Sequence, residues 1–382
     1  MTIGFFESDR GRDSAKGIQS CAMLNSDLWR GIFSYLPTKS MVLQQKVCVL
    51  WNTIPFPDIF AVSESDSKEV GSSTTKLQDF HFFIYVSARK FRMVRHLRLD
   101  NVGISSAAFK MLADAETSLH SMHSSGRTIQ RASLQEIVRM PIRILKLNFA
   151  DIGNTDLACL SGISLTSLSL SQNRVSLLNL SSLARMPLTD LDLGGCILND
   201  DSLRSLVGMP LERLKLYPDF DDYTPGGPEN PHITGTGLAY LSGMPLRYLS
   251  LRFLAISAAR LMALQGLALT YLDLFNNSMI SDEGLKCLVG MPLTYLDLGN
   301  SWGNTSSKIK GNGLKCLSAM PLKKLNLGWT SIEDGCLVHL MEIQLNFLNI
   351  KHTKVTADGC KRLKEKNPSL SLDVGDTFSK WG

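Results

Sequence analysis

Apolar residues return along most of this chain at fixed intervals. The phrase Met-Pro-Leu-x-x-Leu-x-Leu occurs at 186–193, 209–216, 244–251, 291–298 and 320–327, with variants at 140–147, 163–170, 267–274 and 343–350. Counted from the leucine (or isoleucine) at its third position, units start at 142, 165, 188, 211, 246, 269, 293, 322 and 345, so the basic spacing is 23 residues. Within a unit the apolar positions fall at offsets 0, 3, 5, 10, 15 and 18, as Leu188, Leu191, Leu193, Leu198, Leu203 and Leu206 show. The same template extends upstream to Val94 with Leu97, Leu99, Ile104, Phe109 and Leu112, and to Leu119 with Met122, Ile129, Leu134 and Ile137. Eleven turns follow, with a last strand near residues 370–374.

The offsets carry two periods. Positions 3 and 5 alternate as the inward residues of a strand do, whereas 15 and 18 share one helix face, so each unit predicts a strand, a loop and a helix. Asn199 with Asp200, and Ser281 with Asp282, are expected to cap helix starts, and Gly208, Gly243 and Gly290 to end helices before Met-Pro. One unit cannot bury its own leucines; stacking sets each leucine row on the next and makes a continuous core. This pattern resembles the leucine-rich-repeat family over residues 94–374. The resemblance implies an α/β horseshoe solenoid with a parallel concave sheet and convex helices, and it names no usual ligand, because one fold serves many partners.

Residues 24–54 depart from the repeat. Leu28, Ile32, Phe33 and Leu36 form an apolar stripe at helical spacing that Pro37 interrupts, and Val47, Leu50, Trp51 and Ile54 form a second. Leu24, the helix ending in Leu36 and Pro37, then Val47, Cys48 and the later Trp51, resemble an F-box; the departures are Asn25, where a proline is usual, and Val49, where a basic residue is usual. The resemblance implies docking onto a Skp-type adaptor through Leu24, Leu28, Ile32, Phe33, Leu36, Pro37, Val47, Cys48 and Trp51, and through that adaptor a cullin ubiquitin ligase, with the solenoid choosing the substrate. The alternative is that this all-α module caps the first repeat. The chain then divides into a flexible stretch (1–22), the helical module (23–56), a linker and a helix leading into the solenoid (57–93), the solenoid (94–375) and a tail (376–382). The basic run Arg89, Lys90, Arg92, Arg95 and Arg98 is either a localisation signal or a solvated face.

Offsets 2, 4 and 6 point away from the leucines and line the sheet's other face. Offset 2 carries Tyr248, Tyr271, Tyr295 and, past Lys324, Phe347, with Arg252, Phe275 and Trp329 nearby. Stacked strands lie ~4.8 Å apart, so the tyrosines should form a ladder: a partner site, or strand residues stacking on one another. Arg213 and Lys215 follow Asp190 and Asp192 on the preceding turn, and pairing between them competes with a role in binding. Two turns carry extra residues after the strand, around 217–232 and 300–308, which should bring Tyr217, Phe220, Tyr223 and Trp302 to one rim.

Composition narrows the classes. The 40 basic and 35 acidic residues are interspersed, which is no nucleic-acid footprint. The N-terminus has no apolar signal segment and no run is long and apolar enough for a membrane span, so a cytoplasmic protein, possible also in the nucleus, is expected. Eight cysteines without a Cys-x-x-Cys pair read as small hydrophobes in a reducing compartment, not as zinc ligands or disulfides. Scattered histidines, and the lack of a phosphate-cradling glycine loop, argue against an enzyme, and no metal or cofactor is expected. The expected function is a substrate receptor of a Skp/cullin/F-box-type ligase. The alternative is a scaffold or sensor without a ligase, which includes a secreted effector acting on a host adaptor.

Overall fold

The computed structural model describes residues 3–6, 59–63, 95–100, 106–114, 118–126, 129–173, 179–217, 233, 235–301 and 307–375. Residues 24–54, read from the sequence as a helical module, lie outside them, and with them Leu24, Leu28, Ile32, Phe33, Leu36, Pro37, Val47, Cys48 and Trp51; so do Phe220, Tyr223 and Trp302.

The chain forms two compact units, 1–165 and 166–382. In the first, β1 (Ile3–Phe6) pairs antiparallel with β2 (Ile59–Ser63), and β2, β3 (His96–Asp100), β4 (Ser121–Ser125) and β5 (Ile144–Asn148) follow in parallel. Two of these strands correct the sequence reading. β1 falls in the stretch 1–22 expected to be flexible, and β2 in the linker 57–93. IGFF and IFAVS are short aromatic and β-branched runs of strand length, lying outside the 23-residue template that marked the others.

Among the described residues, the second unit holds nine parallel strands in chain order: β6 (Ser167–Ser169), β7 (Asp190–Asp192), β8 (Arg213–Lys215), β9 (Tyr248–Ser250), β10 (Tyr271–Asp273), β11 (Tyr295–Asp297), β12 (Lys324–Asn326), β13 (Phe347–Asn349) and β14 (Ser371–Asp373). Every strand from β7 on occupies offsets 2–4 of its unit, and each pairs with the next without slippage, so Leu191, Leu214, Leu249, Leu272, Leu296, Leu325 and Leu348 stand side by side. Each of these leucines is at most 1% exposed. A buried leucine contributes roughly 1.5–3 kcal/mol, and the row recurs at offsets 0, 5, 15 and 18, so the core runs as one apolar spine along the unit.

The return segments are short. Asp200–Arg204 is α-helical, capped by Asn199, whose side chain accepts from the Ser202 amide at 2.9 Å. Gly284–Leu288, Asn312–Leu317 and Asp334–His339 are 3₁₀ segments instead of the α-helices expected. Five or six residues must carry the chain back toward the next strand, and the tighter i→i+3 turn spans that gap in fewer residues. Gly208, Gly243 and Gly290 end their segments in the left-handed region, with φ of 80°, 77° and 83°. The methionine after each is buried and the proline exposed, so Met-Pro seats one side chain in the core and prevents the helix from continuing.

Ser281 and Asp282 do not cap their own segment. Asp282 accepts the amides of Lys310 (3.3 Å) and Gly311 (3.1 Å) in the following turn, and Asp334 likewise accepts the Thr356 amide (2.8 Å) and hydroxyl (2.6 Å). These carboxylates tie neighbouring turns together. Burial alone would raise the Asp334 carboxyl, but the Thr356 hydrogen bonds and Arg362 outweigh it and hold it below the ordinary carboxylate range. Asn277, 4% exposed, is a second tie: its amide donates to the Leu251 and Leu274 carbonyls (both 2.8 Å) and accepts from the Leu254 (3.2 Å) and Ile256 (2.8 Å) amides.

Candidate functional site

The face turned away from the leucine spine in the second unit is organised in rows across the strands. At offset 2, Tyr248, Tyr271 and Tyr295 stack with ring centroids 4.0 Å apart at both steps and interplanar angles of 12° and 5°. The Arg213 guanidinium lies 4.3 Å from the centre of the Tyr248 ring and so extends the stack by one strand. On the other side Lys324 is exposed and separates Tyr295 from Phe347. Burial pushes the Tyr271 phenol up, reinforced by hydroxyl contacts with Tyr248 and Tyr295, and burial with the nearby Asp297 pushes Tyr295 up to about 12. The aromatic faces are closed against one another, and the Tyr295 hydroxyl donates to Asp297 at 3.3 Å.

Offset 4 holds a row of carboxylates and amides. Asp192, Asp273, Asp297, Asn326 and Asn349 each accept the amide two residues on, at 3.1, 3.0, 2.9, 3.0 and 3.0 Å, ending their strands in Asx turns. Immediately beyond, offset 7 takes positive φ at Phe149, Gln172, Gly195, Phe253, Asn276, Trp329 and His352. Non-glycine residues enter that region at roughly 1–2 kcal/mol each. The conformation is held because the offset-7 amide donates across to the neighbouring turn, as from Phe253 to Phe275 (3.0 Å) and from Trp329 to Lys351 (2.8 Å).

Charge on this face is paired in places. Lys215 bonds Asp192 at 2.9 Å and Arg213 stands 3.8 Å from Asp190, so the acid–base pairing foreseen for these four residues is present. Arg252 approaches Asp273 at 3.5 Å without a hydrogen bond through Nε, and its guanidinium lies 4.7 Å from the Phe275 ring centre. Asp273 and Asp297, side by side and each 6% exposed, have no other ion pair among the described residues. Burial first, then the Asp297 charge, pushes the Asp273 carboxyl up to about 6; burial also raises Asp297, opposed by the Asn326 and Gly299 donors.

A family profile described as Leucine Rich repeat matches residues 269–289, which span β10 and the return segment that follows. One chain of the yeast Rad7 and Elc1 complex superimposes over 95% of this chain and 93% of its own length, with a TM-score of 0.53 at 16% identity. A chain of the mouse RP105/MD-1 complex aligns over 72% of this chain and 62% of its own, at 17% identity and a TM-score of 0.36. No curated protein matches the sequence. This chain folds as leucine-rich repeats.

The repeats bring together some of the residues picked out from the sequence and separate others. Tyr248, Tyr271, Tyr295, Arg213, Lys215, Arg252 and Phe275 share one patch on β8–β11 and the start of the loops that follow. Phe347 stands two strands from Tyr295, outside the stack. Trp329 stacks on His352 at 4.0 Å, at the strand ends and not on the tyrosines, because its left-handed backbone turns it off the strand. Tyr217 also differs from expectation: it is half-buried, its hydroxyl 3.4 Å from Ser171, and its ring fills the space above Gly194, where a Cβ would come within 1.9 Å. It anchors the root of the long insertion to the sheet and is not free at the rim. Sequence reasoning missed the Asp273 and Asp297 pair, whose signal was the recurring Asp or Asn at offset 4. It also missed His352.

Proposed function

We propose that this chain is a substrate receptor: its repeats hold a partner protein on the open sheet face, and residues 24–54 attach it to a Skp-type adaptor and so to a cullin ubiquitin ligase. The observation that carries the protein-binding half is the stacked patch of Tyr248, Tyr271 and Tyr295 flanked by Arg213 and Arg252, since aromatic residues with arginine are what buried interface centres favour. The fold-level likeness to a chain crystallised in a two-protein complex is consistent with it. The adaptor half rests on the F-box-like spacing of Leu24, Leu28, Ile32, Phe33, Leu36, Pro37, Val47, Cys48 and Trp51. In this reading the chain performs no chemistry of its own, needs no cofactor, and works in the cytoplasm or nucleus.

The departures at Asn25 and Val49 favour a second reading, in which the repeats serve as a scaffold or sensor without a ligase, including a secreted effector that borrows a host adaptor. Co-purification of the full chain with a Skp-type adaptor separates the two. A folded chain that retains no adaptor supports the scaffold. Binding on the sheet face is tested by Tyr271→Ala with Tyr295→Ala. Proteins retained by the native chain and identified by mass spectrometry should be lost from the folded double variant, and unchanged retention would remove the tyrosine row from the interface.

A further inference from the structure

Building on the reading that the repeats hold a protein, we infer that the face of β9–β11 receives an extended segment bearing a lysine or arginine, whose cation seats at Asp273 and Asp297 beside the hydroxyl edge of the tyrosine row.

The fold does not need charge at these two positions. What it needs at offset 4 is an acceptor for the amide two residues on, and on β12 and β13 Asn326 and Asn349 fill that role at 3.0 Å with neutral side chains. On β10 and β11 the same turn is built with aspartate, at 3.0 and 2.9 Å, in places only 6% exposed. Burying a carboxylate where an amide would suffice is unfavourable unless a cation meets it.

Along the open face, the other acids have partners one to one: Asp190 with Arg213, Asp192 with Lys215, and Asp373 with Lys351 at 3.0 Å. Among the described residues the pair has one ion contact, Arg252 to Asp273 at 3.5 Å, and that guanidinium also lies 4.7 Å from the Phe275 ring centre. Lys324, one strand from Asp297, makes no ion pair among the described residues.

The remaining bonds to the pair are neutral: Ser250 to Asp273 at 3.4 Å, and Asn326 (2.9 Å) and Tyr295 (3.3 Å) to Asp297. One negative charge without an ion-pair partner among the described residues is thus left at the foot of a half-buried aromatic strip. The raised Asp273 and Asp297 carboxyls are its electrostatic signature. The stacked faces leave no slots between rings for an aromatic or proline side chain. A basic side chain meets the carboxylates while its methylene stem runs along the tyrosine edges.

The test is selection from a phage-displayed random dodecapeptide library on the full chain, counter-selected on the Tyr271→Ala, Tyr295→Ala variant. Survivors should share a lysine or arginine at one position. As synthetic peptides they should bind Asp297→Asn and Asp273→Asn at least ten-fold more weakly than the native chain. Replacing the basic residue by citrulline or acetyl-lysine should cost the native chain as much and the variants little. Both variants keep the Asx acceptor and should melt at least as high as the native chain, which guards against unfolding as the cause. Lys324→Ala should leave binding intact or tighten it; loss there would mean that the peptide meets Lys324 and would overturn the assignment. Survivors without a shared basic position, or with unchanged affinity for Asp297→Asn, overturn this inference while leaving the tyrosine face a protein site. A library with no tyrosine-dependent survivor counts against both.

Discussion

Single residues decide what the open face can do, and Asp273 titrates in an accessible range. Its carboxyl is raised from 3.8 to about 6 by burial and by Asp297, against the opposing pull of Arg252. A raised carboxyl favours the fold when protonated, so its contribution is fully present below the unfolded value and is lost as pH rises through about 6. Asp273→Asn should therefore stabilise the chain at pH 8, on the order of 2 kcal/mol from the size of the shift, and the gain should vanish below pH 4. Thermal melts of both forms across that span check this, and a constant difference at every pH would show that charge is not the cause. Stability gained here and partner affinity lost, if the cation site is as inferred, are two faces of one buried charge. The tyrosine row was legible from the sequence because residues at one offset of stacked strands must be neighbours. Tyr217 was not, since its place depends on the missing side chain of Gly194, a contact between different turns.

At the scale of the element, the repeat is a strand whose register the leucines set and a return segment whose ends are set by caps. Leu272, fully buried in the middle of the row, has no room to be replaced: Leu272→Ala should cost roughly 2–5 kcal/mol by the lost transfer energy and the cavity left behind. The inter-turn ties act more locally. Asp282→Ala leaves the Lys310 and Gly311 amides without their acceptor and should cost roughly 1–2 kcal/mol. Amide exchange should then quicken at 310–317 while the β9 and β10 amides keep their protection; uniform quickening along the unit would mean that Asp282 acts on the whole stack. Helix starts read from single sequence positions proved half right. Asn199 caps its own segment, whereas Asp282 reaches to the next one and accepts the Lys310 and Gly311 amides.

For the molecule as a whole, the repeats make a chain of nearest-neighbour contacts, and residues 24–54 are a separate sequence unit with their own apolar stripes. The two should fail independently. Replacing Leu36 and Pro37 together should abolish adaptor binding and leave the melting of the repeats unchanged. Retained adaptor in that variant would show that the end of this helix is not the anchor, and a lowered melt would favour the module as a cap on the first repeat.

Within the repeats, the sequence by itself determined the strand order, the register and the buried leucine rows, because all three follow from a fixed interval repeated along the chain. It also determined which residues share the open face, since side-chain direction in a strand alternates with offset. Only the tertiary structure decided which charges on that face are neutralised. Arg213 and Lys215 find acids one strand away, Arg252 divides itself between Asp273 and Phe275, and Asp297 is left with neutral donors alone. Pairing of that kind depends on ångström distances between side chains of different turns, and no period in the sequence encodes those.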